Sequence, residues 1–140
     1  CGLGRLGQKA GAGFYDYDDR RRPTPASIVS DLMTECAQAQ GIAQRSISDE
    51  EILDRCVLPM INEGAKILAE GIALRASDID VCYVYGYGWP LYRGGPMHYA
   101  NSLGLDVVLA KLRHYHKVTG DDFWEPSQML VSLAEQGKHF

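Results

Sequence analysis

No apolar run in these 140 residues approaches the length of about 20 that a membrane-crossing helix needs, so no membrane span is expected. No signal peptide is expected either. Basic excess is also missing: 14 Lys and Arg face 18 Asp and Glu, a formal net charge of −4. Nucleic-acid binding requires a basic face, so that class is excluded. The four cysteines, Cys1, Cys36, Cys56 and Cys82, contain no Cys-x-x-Cys pair and no paired spacing. Three of them fall on expected apolar helix faces, where a thiol acts as a small hydrophobe. That usage suits a reducing compartment, with cytoplasm expected and a peroxisomal or mitochondrial interior as the alternative. No Gly-x-Ser-x-Gly marks a nucleophile elbow. The chain starts at Cys1 rather than Met, and a piece of something longer is expected.

What is present is enough apolar residue for a core, 46% of the chain, in a length that suits one domain. The most distinctive stretch is Gly86-Tyr87-Gly88-Trp89-Pro90-Leu91-Tyr92-Arg93-Gly94-Gly95-Pro96-Met97. Glycine supplies backbone angles that other residues avoid, and proline fixes φ, so this is neither helix nor strand. Tyr87, Trp89, Tyr92 and Met97 give it apolar surface to bury, which predicts a packed, rigid corner between helices.

Apolar periodicity predicts six helices around that corner. Helix A, about 26–40, carries Ile28, Leu32 and Cys36 in one row and Val29, Met33 and Ala37 in the next, with Gly41 as its stop. Helix B, about 49–71, opens on the capping box Ser48 and Glu51. Its core rows are Ile52-Cys56-Met60-Gly64-Leu68 and Leu53-Val57-Ile61-Ala65, with Asp54, Asn62, Lys66 and Glu70 on the opposite face. Lys66 and Glu70 have the spacing of a weak surface pair. Pro59 removes one amide and crowds the preceding turn, which predicts a kink. Ser77 is expected to cap helix C, about 78–85, and Pro96 to open helix D, which ends near Ser102. Helix E, about 105–118, would bury Leu105, Val108, Leu109, Leu112 and Tyr115, with Gly120 closing it. Helix F, about 127–136, would turn Met129, Leu130, Leu133 and Ala134 inward and stop at Gly137. Ahead of these, Phe14-Tyr15-Asp16-Tyr17 reads as a short strand or extended arm, and Asp18 to Pro25 as a turn or linker. The fold class is all-α with a short extended N-terminal arm. Residues 1–25 are the arm and linker, and 26–140 the helical domain.

Few residues invite a chemical role. The run Gly7-Gln8-Lys9-Ala10-Gly11-Ala12-Gly13 precedes an extended segment, whereas a dinucleotide loop follows a strand and opens a helix. It lacks Gly-Lys-Ser/Thr, so a tight structural turn is expected. Arg20-Arg21-Arg22 sits beside Asp16, Asp18 and Asp19, whose charge cancels its field, and reads as a solvated turn. His114 and His116 are two apart and point to different helix faces, so no metal site is expected. Cys56 and Cys82 read as core residues rather than activated thiols. Asp54 and Glu63 are nine apart on helix B, about 13–14 Å at 1.5 Å per residue, too far for a cooperating carboxylate pair. They read as solvated or interface charges.

Three segments share a resemblance. The glycine–proline corner with Ile79-Asp80 upstream, the arm Gly7-x-Lys9-x-Gly11-x-Gly13-Phe14-Tyr15, and the helix Asp54-Arg55-x-x-x-Pro59-x-x-x-Glu63-Gly64 resemble the helical C-terminal part of the 3-hydroxyacyl-CoA dehydrogenases. The similarity is greatest to the multifunctional enoyl-CoA hydratase/3-hydroxyacyl-CoA dehydrogenase proteins of fatty acid β-oxidation. It implies a 6-phosphogluconate dehydrogenase C-terminal-like helical fold. It also implies that residues 1–17 end a first helical copy and that a second copy runs from about 26 onward. In the catalytic copy an Asn leads the helix pattern and helps hold substrate beside a His–Glu pair. Here Asp54 takes that position and Gly64 replaces the usual Ala. A carboxylate cannot donate an amide N–H, and it adds negative charge where an enolate-like species would develop.

The resemblance therefore implies a parent that oxidises L-3-hydroxyacyl-CoA to 3-ketoacyl-CoA with NAD. This chain has no βαβ unit with Gly-x-Gly-x-x-Gly and no His–Glu segment, so no catalytic residue and no cofactor are expected in it. Its expected role is packing against the first helical copy and the nucleotide domain, with homodimerisation through helices A and B when isolated. The alternative is a stand-alone acyl-CoA-binding module. Lys9, Arg20 to Arg22 and Arg93 would then meet phosphates, and Tyr87 or Trp89 the adenine or pantetheine.

Overall fold

The computed structural model describes residues 2–140, which leaves Cys1 outside the described residues. The chain divides into two compact units, Cys1–Ser46 and Ile47–Phe140. In the first, a 3₁₀ turn at Gln8–Ala10 precedes an antiparallel hairpin of β1, Tyr15–Tyr17, and β2, Pro23–Pro25, with Asp16 opposite Thr24. The arm is thus a hairpin, and the expected linker over 18–25 is a turn only as far as 22. Two prolines are tolerated in β2 because a two-stranded sheet has no central strand to need their missing amides. The Gly7 amide donates to the Ala12 carbonyl at 2.7 Å, and a Cβ on Gly13 would lie 2.8 Å from the Gly7 Cα. The glycine run is a structural turn and opens no helix.

Asp18 organises the arginine turn. Its carboxylate accepts the amides of Arg20 and Arg22 at 2.9 and 2.8 Å and the Arg22 guanidinium at 2.7 Å. These bonds, the Arg22 amide foremost, hold its carboxyl below the usual range. The α1 helix, Ser27–Ala39, ends where the Gly41 and Ile42 amides bond back to Gln38 and Ala37, with Gly41 at φ +67°. Its apolar stripe forms but stays open. None of its residues is buried, and Ile28, Met33 and Cys36 are exposed.

The second unit holds α2, Asp49–Ala69; α3, Ala76–Gly86; α4, Pro96–Leu103; α5, Leu105–Thr119; and α6, Gln128–Glu135. The Ser48 hydroxyl accepts the Glu51 amide at 3.2 Å, as the capping box requires, and α2 runs through Pro59 to end before Gly71. Leu58, Ile61 and Ala65 of α2 meet Ala100 of α4 and Leu105, Val108, Leu112 and Tyr115 of α5; Trp124 and Leu130 complete that core. All five residues expected inward on α5 are buried, Leu109 among them.

On α2 the expected rows are rotated. Ile52, Leu53 and Cys56 are exposed, while Leu58 and Asn62 are buried beside Ile61, Gly64 and Ala65. The cause is that α4, α5 and α6 pack on the C-terminal two-thirds of the helix, along the i, i+3, i+4 positions 58, 61, 62 and 65. Cys82 is exposed as well, so none of the three described cysteines is a core residue; all three are free thiols. Lys66 pairs with Glu63 at 3.6 Å rather than with Glu70. Helix α3 starts earlier than Ser77 suggests. Arg75 is its first-turn cap, its amide donating to Asp78 at 3.1 Å and its guanidinium at 2.8 Å.

Candidate functional site

Asp54, where the resemblance leads one to expect an Asn, projects from the first part of α2 toward α5. Lys111 Nζ donates to both of its carboxylate oxygens at 2.9 Å, and Tyr115 Oη donates at 3.1 Å. Lys111 also reaches Glu50 at 3.0 Å. Lys111 and Tyr115 are four apart on α5 and so share a face. The Asp54 side chain is only 17% exposed, so of the two readings, solvated or interface charge, the solvated one does not describe it. Hydrogen bonding to Asp54 chiefly holds the Lys111 ammonium above its usual pKa, and burial, then the Asp54 charge, pushes the Tyr115 phenol up. One turn along, Arg55 donates to Glu51 at 2.8 Å and lies 5.2 Å from the Tyr115 ring and 6.0 Å from that of Trp124. An open cleft of about 380 Å³ runs beside Ser48, Glu50, Asp54, Lys111 and Tyr115. Its carboxylate already holds a cation and a phenol. Among the described residues that line it, none carries a side-chain amide to donate to a carbonyl or enolate oxygen.

Glu63 is exposed and pairs with Lys66, so it makes no site with Asp54. Gly64 has a packing role: a Cβ there would lie 2.5 Å from Met97 Sδ and 3.7 Å from Ile79 Cδ1. Its small size lets α3 and α4 close on α2.

The glycine–proline corner joins α3 to α4. Gly88, Gly94 and Gly95 all have positive φ, and Pro96 is the first residue of α4. Gly95 is required twice over, because its φ is +101° and a Cβ would lie 2.6 Å from the Asp80 Cα. Asp80 is what fills that space. Its carboxylate accepts the Met97 amide at 2.7 Å and the His98 amide at 3.1 Å, capping α4 from the neighbouring helix. Burial is the main cause that raises its pKa, against the opposing pull of those amides.

Met97 is fully buried, but Tyr87 and Tyr92 are 81% and 83% exposed, so the corner buries less of its aromatic surface than expected. Trp89 is half-buried, edge-on to Tyr83 and Tyr99 at 6.1 and 6.2 Å. The Arg93 guanidinium lies 5.3 Å from both the Tyr92 and the Tyr99 rings. Tyr87, Trp89 and Arg93 therefore gather in one aromatic cluster around Tyr83 and Tyr99. Lys9 lies in the first unit, exposed in its 3₁₀ turn.

Three residues that matter here had no separate signal. Lys111 is 57 positions from Asp54, beyond any helical spacing rule. Asp80 was noted only as part of a motif. Asn62 was placed on the polar face, yet it is 2% exposed; it donates to the Glu125 carbonyl at 2.8 Å and accepts the Ser127 amide at 2.8 Å. Its place four residues after Leu58 is the signal that could have found it. Among the described residues no group of three or more His, Cys, Asp and Glu is arranged to hold a metal ion. The only sheet among them is the antiparallel pair β1–β2, which offers no parallel strand and helix-opening loop to seat a dinucleotide. Among the described residues no helix is long and apolar enough to cross a membrane.

The family 3-hydroxyacyl-CoA dehydrogenase, C-terminal domain, matches residues 52–139. The chain is 46% identical to the peroxisomal bifunctional enzyme of Homo sapiens over 98% of its own length and 19% of that protein. It is 33% identical to the glyoxysomal fatty acid beta-oxidation multifunctional protein MFP-a of Brassica napus, over 95% of the chain and 19% of the relative. The crystal structure of the dehydrogenase part of multifunctional enzyme 1 from C. elegans superposes with a TM-score of 0.68 at 28% identity, covering 93% of this chain and 30% of that one. The chain thus spans about a fifth of the length of these curated relatives. A match over residues 52–139, reached through the same helices that carry Asp54, Gly64 and the glycine–proline corner, establishes that the chain belongs to the 3-hydroxyacyl-CoA dehydrogenase C-terminal domain family.

Proposed function

We propose that this chain is a non-catalytic second copy of the helical unit within a longer β-oxidation enzyme. The longer protein would oxidise L-3-hydroxyacyl-CoA to 3-ketoacyl-CoA with NAD bound in a separate nucleotide domain. The single observation that carries the reading is the state of Asp54. Where a catalytic copy would offer a free amide donor, this chain has a carboxylate held by Lys111 at 2.9 Å and Tyr115 at 3.1 Å. A carboxylate held in this way does not donate to an oxyanion. Residues 1–25 then form the arm and linker from the first copy, and 26–140 the second copy. Names of the relatives support a peroxisomal interior as its compartment.

Its partners in that protein are the first helical copy and the nucleotide domain. The exposed apolar residues Ile28 and Met33 of α1 offer one surface for packing, and Ile52 and Leu53 of α2 offer another. Isolated from those partners, the chain would self-associate through the same residues as a homodimer.

The test is an NADH-oxidation assay of the isolated chain with acetoacetyl-CoA, run beside an Asp54→Asn variant. Neither should turn over, because the variant restores the amide but supplies no nucleotide fold. Turnover by the unmodified chain would refute the reading. Sedimentation at micromolar concentration tests the dimer separately, and a monomer there removes it.

A further inference from the structure

We infer that the cleft between α3 and the start of α4 is a binding site for a small ligand that carries an ammonium group on a short apolar body, the chemistry of an arylalkyl amine. The cleft holds about 370 Å³, a size within the range of small-ligand sites. Val81, Val84, Tyr85 and Leu91 give it an apolar wall, and Asp80 and His98 also line it. No lysine or arginine lines it, and Asp80 is its sole carboxylate. One anion set in an apolar wall selects a cation that brings apolar surface of its own. The cleft beside Asp54 differs, because there Lys111 already holds the carboxylate at 2.9 Å.

Asp80 has acceptor capacity left over. Its Oδ1 accepts the Met97 amide at 2.7 Å and its Oδ2 the His98 amide at 3.1 Å, the latter amide also lying 3.4 Å from Oδ1. An ionised carboxylate has about four lone-pair sites, so two backbone donors leave room for another. Among the described residues no cation stands within 4.0 Å of it, whereas Asp16, Asp18, Asp54 and Asp78 each have one. Burial chiefly raises its pKa, against the two amides and the His98 charge, which marks a negative charge that the fold leaves partly uncompensated. A bound ammonium would compensate it through a charge-assisted hydrogen bond. The cleft is also built in advance. A Cβ on Gly95 would lie 2.6 Å from the Asp80 Cα and one on Gly94 2.5 Å from His98 Cδ2, so both glycines let the corner close on the two polar groups. Tyr85 is 82% exposed, and a tyrosine face offers an ammonium a cation–π contact.

This site rests on the cleft's own chemistry and stands whether or not the longer protein is a dehydrogenase. The experiment titrates the whole chain with phenethylamine, with its neutral counterpart phenethyl alcohol, and with methylammonium, followed by calorimetry and amide NMR shifts. Phenethylamine should saturate and bind at least about tenfold tighter than either control, since the alcohol forgoes the charge and methylammonium the apolar body. The Met97 and His98 amides, which donate to Asp80, should shift most. Asp80→Asn keeps an acceptor for those amides and should weaken the amine at least about tenfold while leaving the alcohol unchanged. Leu91→Ala, an exposed change that circular dichroism should find folded, should weaken it about fivefold. The amine stays charged in acid, so its affinity should be level above the folded pKa of Asp80 and fall as pH drops through it. The other charged groups on the elements around Asp80 are His98 of α4, Arg93 of the corner, the α3 pair Arg75–Asp78 and the α2 pair Glu63–Lys66. Of these His98 is the one whose charge acts on it, so His98→Gln should keep the fall. No saturation at about 10 mM amine overturns the inference. Alcohol binding as tightly as amine overturns it, since that is apolar contact alone. Equal amine binding by Asp80→Asn or by Leu91→Ala also overturns it, as does loss of the pH step in His98→Gln.

Discussion

Helices α1 and α5 carry the same kind of apolar stripe, and the structure treats them oppositely. On α5, Leu105, Val108, Leu109, Leu112 and Tyr115 are all buried; on α1 no residue is. Periodicity says which face of a helix is apolar. It does not say what lies against that face. For α5 the answer is inside the chain, in α2, α4 and α6. For α1 no residue of the stripe is buried.

Substitutions can break that contrast, beginning with the largest effect. Leu112→Ala removes a fully buried side chain from the core and should lower unfolding stability by about 2–5 kcal/mol, read from the denaturant midpoint. A loss as small as a surface substitution's would mean that α5 is not the organising helix. Asn62→Ala should cost about 1–3 kcal/mol, because the Ser127 amide and the Glu125 carbonyl each lose their partner in a buried setting. Asn62→Asp separates the two bonds, since it keeps the acceptor for Ser127 and loses the donor to Glu125.

Asp80→Ala removes the cap of α4 and should cost about 0.5–2 kcal/mol. Its pH dependence has a definite sign. The folded-state pKa is raised above the ordinary value of 3.8, so the folded chain holds this proton more tightly than the unfolded one. That contribution is fully present below 3.8 and is lost as pH rises through the folded value. Compared with Asp80→Asn, the unmodified chain should therefore lose relative stability across the window just above 3.8, in parallel urea titrations. A flat difference across that window would mean burial does not govern this carboxyl.

The smallest expected effect sharpens the comparison from the other side. Met33→Glu on α1 should change monomer stability by no more than about 0.5 kcal/mol, because Met33 is 63% exposed. The same change should reduce self-association in sedimentation if the open stripe is the dimer surface. A large loss of monomer stability would show that α1 is covered within the chain after all.

Legibility followed locality. Capping boxes, glycine stops and the α5 stripe depend on residues within a turn or two, and Ser48–Glu51, Gly41, Gly71, Gly120 and Gly137 all sit at helix ends as their chemistry requires. The rotation of α2's buried face was not legible, since Leu58 and Asn62 are selected by helices that arrive much later in the chain. Nor was the bond from Lys111 to Asp54. The Asp at an Asn position was visible, but whether its charge met water or a partner depended on which face of α5 came to rest beside it.

Residue order alone was enough for the six helices, most of their stops and the family resemblance, because φ preferences, caps and apolar spacing act over a few residues; the start of α3 at Ala76 was not read from it. It also showed an Asp where the resemblance leads one to expect an Asn, because that is a matter of residue type alone. Tertiary structure decided what each side chain faces: that Asp54 is held by a lysine and a phenol, that Asn62 is inside, and that Arg93 lies 5.3 Å from each of two rings. Those outcomes depend on contacts between residues far apart in the chain, and only packing brings such residues together.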